Sequence, residues 1–301
     1  KNFIKKHFSD FSIVKYKDDI VKLLDGLDKV SAHNVQLVLS RLQRLMYNNY
    51  DNIDIFSTDE QKEIREISKQ KDDILSLDEN LFFHKGCYLP VNHFENLLFE
   101  QNLNIALLPQ KILAEIAGKS IIDVGAYIGD SAFILNQLKP KDIYAFEANS
   151  KNYDLLLKTI KLNHLNNVIA ENLALGNKIA ENVQITDDEA CSYIVNDVSS
   201  EKITHTCKMI TLDGYVAMHP EINAGLIKVD VEGQEQKFLE GALETIKKFK
   251  PVLVLSIYHN WSDFLHIKNQ LVVLNLGYKF MISKPTSGAI ILETELLAYP
   301  E

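Results

Sequence analysis

The sequence predicts an α/β protein: a mostly parallel, Rossmann-like sheet of seven strands with helices on both faces, preceded by a mainly helical extension. Three observations carry this. A short apolar strand, Ser120-Ile121-Ile122, runs into the glycine turn Asp123-Val124-Gly125-Ala126-Tyr127-Ile128-Gly129-Asp130-Ser131, after which Ala132, Phe133, Leu135 and Leu138 recur at helical spacing. A second apolar run, Asp142-Ile143-Tyr144-Ala145-Phe146-Glu147, ends in an acid 24 residues beyond Asp123. Past it, apolar strands and amphipathic helices keep alternating, as in a parallel sheet with crossover helices.

Length and composition narrow the classes. The 301 residues suffice for one large or two smaller domains, and a hydrophobic fraction of 46% is ordinary for a globular chain. A formal charge of -9, with bases interspersed among acids, argues against a nucleic-acid substrate. No apolar run approaches the roughly 20 residues that span a bilayer, and the N-terminus lacks a signal-peptide layout. Cys87, Cys191 and Cys207 are far apart without Cys-x-x-Cys spacing, so neither a zinc site nor a disulfide framework is expected. A reducing cytoplasm is the default. The chain begins at Lys1 rather than Met, which leaves room for residues upstream.

Residues 1–75 read as helical. Ile20, Val21, Leu23, Leu24 and Leu27 make one amphipathic stretch, ended by Asp28-Lys29. Asn34 to Tyr47 makes a stronger one, with Val35, Leu37, Val38, Leu42, Leu45 and Met46 inward. Thr58 opens a third, with Gln61 at capping-box distance, and its charge makes it solvent-facing. These helices are expected to pack on the core or on a second copy in a homodimer. Residues 76–115 suggest short strands around Leu81-Phe82-Phe83 and Cys87-Tyr88-Leu89, with turns at residues 78–80 and 84–86, then a helical face through Phe94, Leu97 and Leu98. His84, Tyr88, His93 and Glu95 are candidates for the substrate side of a crevice. After Glu147 come a helix over Tyr153–Leu162, a strand at 168–170, and an antiparallel excursion over residues 179–211 through Val183-Gln184-Ile185, Tyr193-Ile194-Val195 and Cys207-Lys208-Met209-Ile210. Strands at Leu226–Val231, Pro251–Tyr258, Tyr278–Ile282 and Leu296–Tyr299 complete the set.

The glycine turn is the first candidate site. A strand ending in an acid and a glycine turn before a helix builds a crevice at the carboxyl edge of a sheet. Gly125 and Gly129 suit places where a side chain would block a ligand's approach to the backbone. The spacing is Gly-x-x-x-Gly, and Asp123 would repel a pyrophosphate but suits an ammonium, such as that of S-adenosylmethionine. Asp123, Gly125, Ala126, Tyr127, Gly129, Asp130 and Ser131 are therefore expected to bind the cofactor, with Glu147 and Ala148 at its ribose.

The second candidate is Ile227-Lys228-Val229-Asp230-Val231-Glu232-Gly233. In a strand, Lys228, Asp230 and Glu232 would share one face, and burying three charges unpaired is costly, so they are expected at the crevice. The alternative is a structural ion pair of Lys228 with one acid. Tyr258-His259-Asn260-Trp261 ends the next strand, and His259 could serve as a base.

Ile121–Ser131, Ala145-Phe146-Glu147, Thr211-Leu212-Asp213 and Ile227–Gly233 together resemble the FkbM family of methyltransferases, over about residues 115–301. The resemblance implies a class I methyltransferase fold over residues 116–301, with S-adenosylmethionine as donor. It also implies a hydroxyl acceptor, often on a sugar or natural product. Carried over, Asp123, Gly125 and Gly129 would face the methionine part and Glu147 the ribose. Two positions depart from many members: Ala148 stands where Pro follows the ribose acid, and Ser256 or Tyr258 where the fifth strand carries Glu.

For an O-methyltransferase, His259, Asp230 and Glu232 are the catalytic candidates, His259 foremost as base because imidazole is neutral near pH 7. The two acids could orient the acceptor hydroxyl or hold a divalent cation; two acids make a thin site, and no metal is assigned. The competing readings are a nicotinamide-dependent oxidoreductase, disfavoured by the missing third glycine, and a non-catalytic interaction protein working through its helical extension.

Overall fold

The computed structural model describes residues 2–8, 12–48, 55–188, 191–194 and 203–301. Helices α1 (Asn2–Phe8), α2 (Lys17–Leu24), α3 (Lys29–Tyr47) and α4 (Thr58–Lys69) come first. Strands β1 (Leu75–Asp78), β2 (Leu81–His84) and β3 (Cys87–Leu89) follow, then α5 (Asn96–Phe99) and α6 (Gln110–Ile116). The alternating region runs β4 (Ser120–Val124), α7 (Asp130–Asn136), β5 (Ile143–Phe146), α8 (Ser150–Leu162) and β6 (Val168–Glu171). Strands β7 (Leu173–Leu175), β8 (Ala180–Asp188), β9 (Cys191–Ile194) and β10 (Ile203–Ile210) make the excursion. The chain continues through α9 (Leu212–Met218), β11 (Ala224–Val229), α10 (Glu235–Glu240), α11 (Leu243–Phe249) and β12 (Val252–Ser256). It ends with α12 (Trp261–Val272), β13 (Tyr278–Ser283) and β14 (Glu295–Pro300).

The seven-stranded, mostly parallel sheet has the order β13-β14-β12-β11-β4-β5-β6. Pairing is parallel for β11 with β4, β4 with β5 and β5 with β6, and antiparallel for β13 with β14. Register explains the site. Val124 lies opposite Val229 on one side and Phe146 on the other, so the turns after β4, β5 and β11 leave the sheet side by side. Strand β4 is wholly buried, as a parallel strand covered on both faces must be.

By contact the chain forms two compact units, residues 74–254 and residues 1–73 with 255–301. The first holds the small antiparallel sheet β1-β2-β3 and a second sheet, β7-β10-β8-β9. The latter is the excursion expected from the sequence; β8 pairs antiparallel with both β10 and β9, and Val195 lies outside the described residues. Tyr88 of β3 is tied to α8 through Asn163, which accepts from its amide at 2.8 Å and donates to its carbonyl at 2.7 Å.

In the other unit, α3 covers β13, the last strand in the sheet order. Ile282 donates its amide to Ser31 Oγ at 3.0 Å, and Asn34 Nδ2 donates to the Ile282 carbonyl at 2.9 Å. Those side chains satisfy backbone groups that an edge strand leaves unpaired. Helix α3 starts earlier than its apolar stripe suggested because Asp28 caps it, accepting from the amides of Val30 and Ser31, a contribution of about 1 kcal/mol. Leu39 is buried and Leu37 only half-buried, a shift of the inward face from the expected set. On α4 the capping box falls one residue earlier than expected. Ser57 and Glu60 exchange bonds, while Gln61 Nε2 reaches the Phe56 carbonyl. Glu60 also receives Arg41 Nη2 of α3 at 2.5 and 2.6 Å. Buried Lys268 of α12 donates to the carbonyls of Lys22 and Asp25, closing the C-terminus of α2. No helix among the described residues is long and apolar enough to cross a membrane.

Candidate active site

The turn after β4 is built to be tight. Gly125 and Gly129 have φ of +76° and +90°, and Tyr127 between them is also left-handed at +48°. The amides of Gly125 and Ala126 both donate to the Phe146 carbonyl at 3.0 Å, which binds this turn to the end of β5. A Cβ on Gly125 would lie 1.9 Å from the Asp230 carbonyl oxygen, and one on Gly129 2.8 Å from Leu156 Cδ1. Both glycines are therefore required by neighbouring chain. On the side where a Cβ would stand, the adjacent strand end and α8 already fill the space.

Glu147 joins two turns. Its Oε2 accepts from the Tyr127 amide at 2.9 Å and its Oε1 from the Asn149 amide at 2.8 Å. Burial pushes the carboxyl up to about 7, against the pull of those two amides and of Lys228. Each oxygen keeps a second lone pair for a further donor. Ala148 beside it is half-buried, while Ala126 is fully buried.

Asp123 is fully buried. Its Oδ2 accepts from Ser131 Oγ at 2.6 Å, and its Oδ1 lies 3.3 Å from Lys228 Nζ. Lys228 also donates to the Gly125 carbonyl at 2.6 Å. Burial alone would lower the Lys228 pKa, but Asp123, Asp230 and Asp130 outweigh it and hold the ammonium charged. Lys228 is thus the structural ion pair that the sequence left as the alternative. Asp130 opens α7 with 2% exposure; its Oδ1 accepts from the Ser131 amide at 2.9 Å, and its Oδ2 has no hydrogen-bond partner. Burial and then Glu95 raise its carboxyl to about 7, opposed by His93, the Ser131 amide and Lys228.

The turn after β11 is different. Strand geometry stops at Val229, so the alternation expected for Lys228, Asp230 and Glu232 does not extend past the lysine. Asp230 still donates its amide to the Val124 carbonyl at 3.0 Å, but Glu232 is left-handed at φ +52° and Gly233 at +88°. Asp230 and Glu232 are half-buried, with carboxylate oxygens within 4.8 Å of each other. In the other unit, His259 lies just beyond β12 with 4% exposure, its ring 4.1 Å from that of Tyr258 and a ring nitrogen within 4.8 Å of an Asp263 carboxylate oxygen.

The profile of the Methyltransferase FkbM domain matches residues 123–280, more than half of the chain, beginning at the acid before the glycine turn. The chain belongs to the FkbM methyltransferase family. Among solved structures it is similar to a methyltransferase FkbM from Methylobacillus flagellatus KT, at 18% identity and a TM-score of 0.60, over 95% of this chain and 60% of that one. It spans, then, 60% of that protein's length. Weaker likenesses are to Trm5b from Pyrococcus abyssi (14% identity, 75% of this chain and 56% of that one, TM-score 0.40) and to M. jannaschii TYW2 in complex with AdoMet (19% identity, 74% and 86%, TM-score 0.36). No curated protein matches the chain.

Within this FkbM domain, Thr211-Leu212-Asp213 does structural work. Thr211 Oγ1 caps α9 at the Gly214 amide, and the Asp213 carboxylate accepts from the amides of Glu244 and Thr245 and from Thr245 Oγ1, fixing the start of α11. Sequence reasoning missed Asn172, whose Nδ2 donates to the carbonyls of Glu147 and Ala148 at 2.8 and 3.3 Å and so holds the turn after β5. A polar residue just past the end of a parallel strand was the available signal. His93, a candidate for the substrate side of the crevice, packs its ring edge-to-face on Tyr127 of the glycine turn at 5.3 Å.

Proposed function

We propose that this chain transfers a methyl group from S-adenosylmethionine to a hydroxyl oxygen of a sugar, glycan or hydroxylated natural product. The observation that carries the donor reading is a charge imbalance. Asp123, Asp130 and Glu147 are buried beside the turn, and Lys228 is the buried cation that faces them among the described residues. Lys228 balances Asp123; the other two carboxyls are driven towards neutrality by burial. Such a site favours a ligand that brings positive charge and hydroxyl donors and disfavours a pyrophosphate. A ligand with an ammonium, a sulfonium and a ribose diol has both features.

In this reading Asp123, Asp130 and the 125–131 backbone hold the amino-acid end, and Glu147 accepts from the ribose hydroxyls. When bound, the donor supplies a methyl group on an electron-poor sulfur. The chain's part is placement of the acceptor oxygen in line, the dominant contribution, and removal of its proton, worth about 10²- to 10⁴-fold. Asp230 follows β11 in one unit, and His259 follows β12 in the other. His259 is assigned as base, with Asp230 and Glu232 orienting the hydroxyl. Screening hydroxylated sugars with labelled donor tests the reaction: label should appear as a methyl ether, and label found only on amines or carboxylates would contradict it. With an acceptor in hand, His259→Ala should lower kcat about 10²-fold and leave donor affinity intact. A wild-type rate for that variant beside a dead Asp230→Asn would move the base to the carboxylate.

A further inference from the structure

The small sheet β1-β2-β3 has one face that the core does not use. Cys87 and Leu89 of β3 and His84 of β2 are buried, so the face they share packs inward. Register sets Leu75, Phe83 and Tyr88 in a row across the three strands on the other face, with Asp78 opposite Leu81. Leu75 is 55% exposed, Leu77 53% and Tyr88 37%, while Leu81 and Phe83 are half-buried. The exposed leucines reach the margin of the sheet. Strand β1 is last in the order, and its outer side pairs with no strand among the described residues. The sheet is held in shape from elsewhere. Asn163 of α8 fixes Tyr88, and the Phe83 and Tyr88 rings meet at 4.8 Å. Lys85, at the turn between β2 and β3, pairs with Glu100 and donates to the Phe99 carbonyl at 3.3 Å.

We propose that β1 is a docking edge for an extended segment of another protein, one with apolar residues at alternate positions and Lys or Arg at its ends. The four-residue edge strand offers backbone donors and acceptors to one added strand, whose alternate side chains would fall beside Leu75 and Leu77. Charge selects the occupant. Asp78 and Glu79 stand exposed where β1 turns into β2, and Asp72-Asp73 precede the strand in sequence. Lys85, the lysine between Leu75 and Leu89, is committed to Glu100. A second copy pairing antiparallel through β1 would bring the acids at one end of the strand against those at the other, which is destabilising. An anionic lipid surface would be repelled by the same acids. A segment with basic ends is attracted by them. Acids beside an open edge thus guard against self-pairing and still admit a basic strand.

The probe is a labelled peptide, Lys-Lys-Val-Thr-Val-Thr-Val-Lys-Lys, titrated with the full chain and followed by fluorescence anisotropy. Saturable binding is expected, at least about tenfold weaker in Leu75→Ser with Leu77→Ser, where two apolar contacts are lost. With Glu in place of each Lys the peptide should bind about fivefold more weakly at low ionic strength. Asp78→Lys with Glu79→Lys should reverse that preference. All four substituted side chains are exposed, so these variants keep the fold. A second measurement leaves the protein unaltered. A strand added at an edge bonds through every other residue, so N-methylating either the valines or the threonines should abolish binding, and N-methylating the other set should spare it. Absence of peptide binding, equal binding of the lysine and glutamate peptides, or indifference to both N-methyl patterns would overturn the proposal. So would a wild-type dimer that Leu75→Ser with Leu77→Ser dissociates, which would give the edge to a second copy. Binding to phosphatidylserine vesicles and not to the peptide would give it to a lipid surface and overturn the proposal equally.

Discussion

The turns after β4 and β11 leave the sheet as neighbours, yet they are built on different principles. Residues 123–131 are closed by their own chain. Asp123 and Lys228 pair, Ser131 holds Asp123, Glu147 holds Tyr127, and two amides converge on the Phe146 carbonyl. Residues 230–233 keep their acids half-buried on a left-handed backbone. The difference teaches that most of the sequence signature at the first turn encodes a scaffold. Its glycines, serine and lysine hold a shape, and Asp130 and Glu147 are left with capacity for a ligand. At the second turn Asp230 adds its charge to the field that holds Lys228 protonated, and both acids stay half-buried.

The comparison is most sharply broken at Gly125. Adding a Cβ there overlaps the Asp230 carbonyl and forces a side chain onto a positive φ, so Gly125→Ala should cost about 4–5 kcal/mol and leave little folded protein. Denaturant unfolding showing a loss below about 1 kcal/mol would mean that the two strand ends are not in this contact. Next in size is Lys228→Met, which strands a fully buried Asp123 and should cost about 3–5 kcal/mol. Adding Asp123→Asn to that variant should recover much of the loss, since both partners of the pair are then neutral. A double variant no better than the single would place the role of Lys228 in its bond to the Gly125 carbonyl instead. The smallest effect is expected at the second turn: Asp230→Asn with Glu232→Gln should change stability by no more than about 0.5–1 kcal/mol while lowering turnover. A large loss of stability in that variant would erase the contrast between the turns.

Much of this was legible before the fold was known, and the failures have a common cause. The apolar runs located β4, β5, β6, β11, β12, β13 and β14, most clearly β4, β5 and β11, because buried parallel strands must be apolar on both faces. The pairing of Asp123 with a nearby glycine turn and Glu147 with the next strand end was also visible, since both sit at strand ends in sequence. What sequence could not supply was identity across space. That Gly125 meets Asp230, that Lys228 belongs to Asp123, and that Ser31 and Asn34 serve the backbone of Ile282 are long-range facts. The strand reading of residues 228–232 failed because Glu232 turns left-handed, which its own side chain does not announce. His93 reached the glycine turn through a short loop whose path no periodicity described.

The central claim is that the first turn, with Glu147, binds the methyl donor. Calorimetric titration of the folded chain with S-adenosylhomocysteine, alongside NAD, tests it most directly. Binding of S-adenosylhomocysteine without NAD is expected, with affinity at least about tenfold weaker in Glu147→Ala from the loss of hydrogen bonds to its carboxyl. Glu147 also holds two backbone amides, so the variant's fold is checked by circular dichroism before titration. NAD binding without S-adenosylhomocysteine, or unchanged S-adenosylhomocysteine affinity in a folded Glu147→Ala protein, would contradict the account.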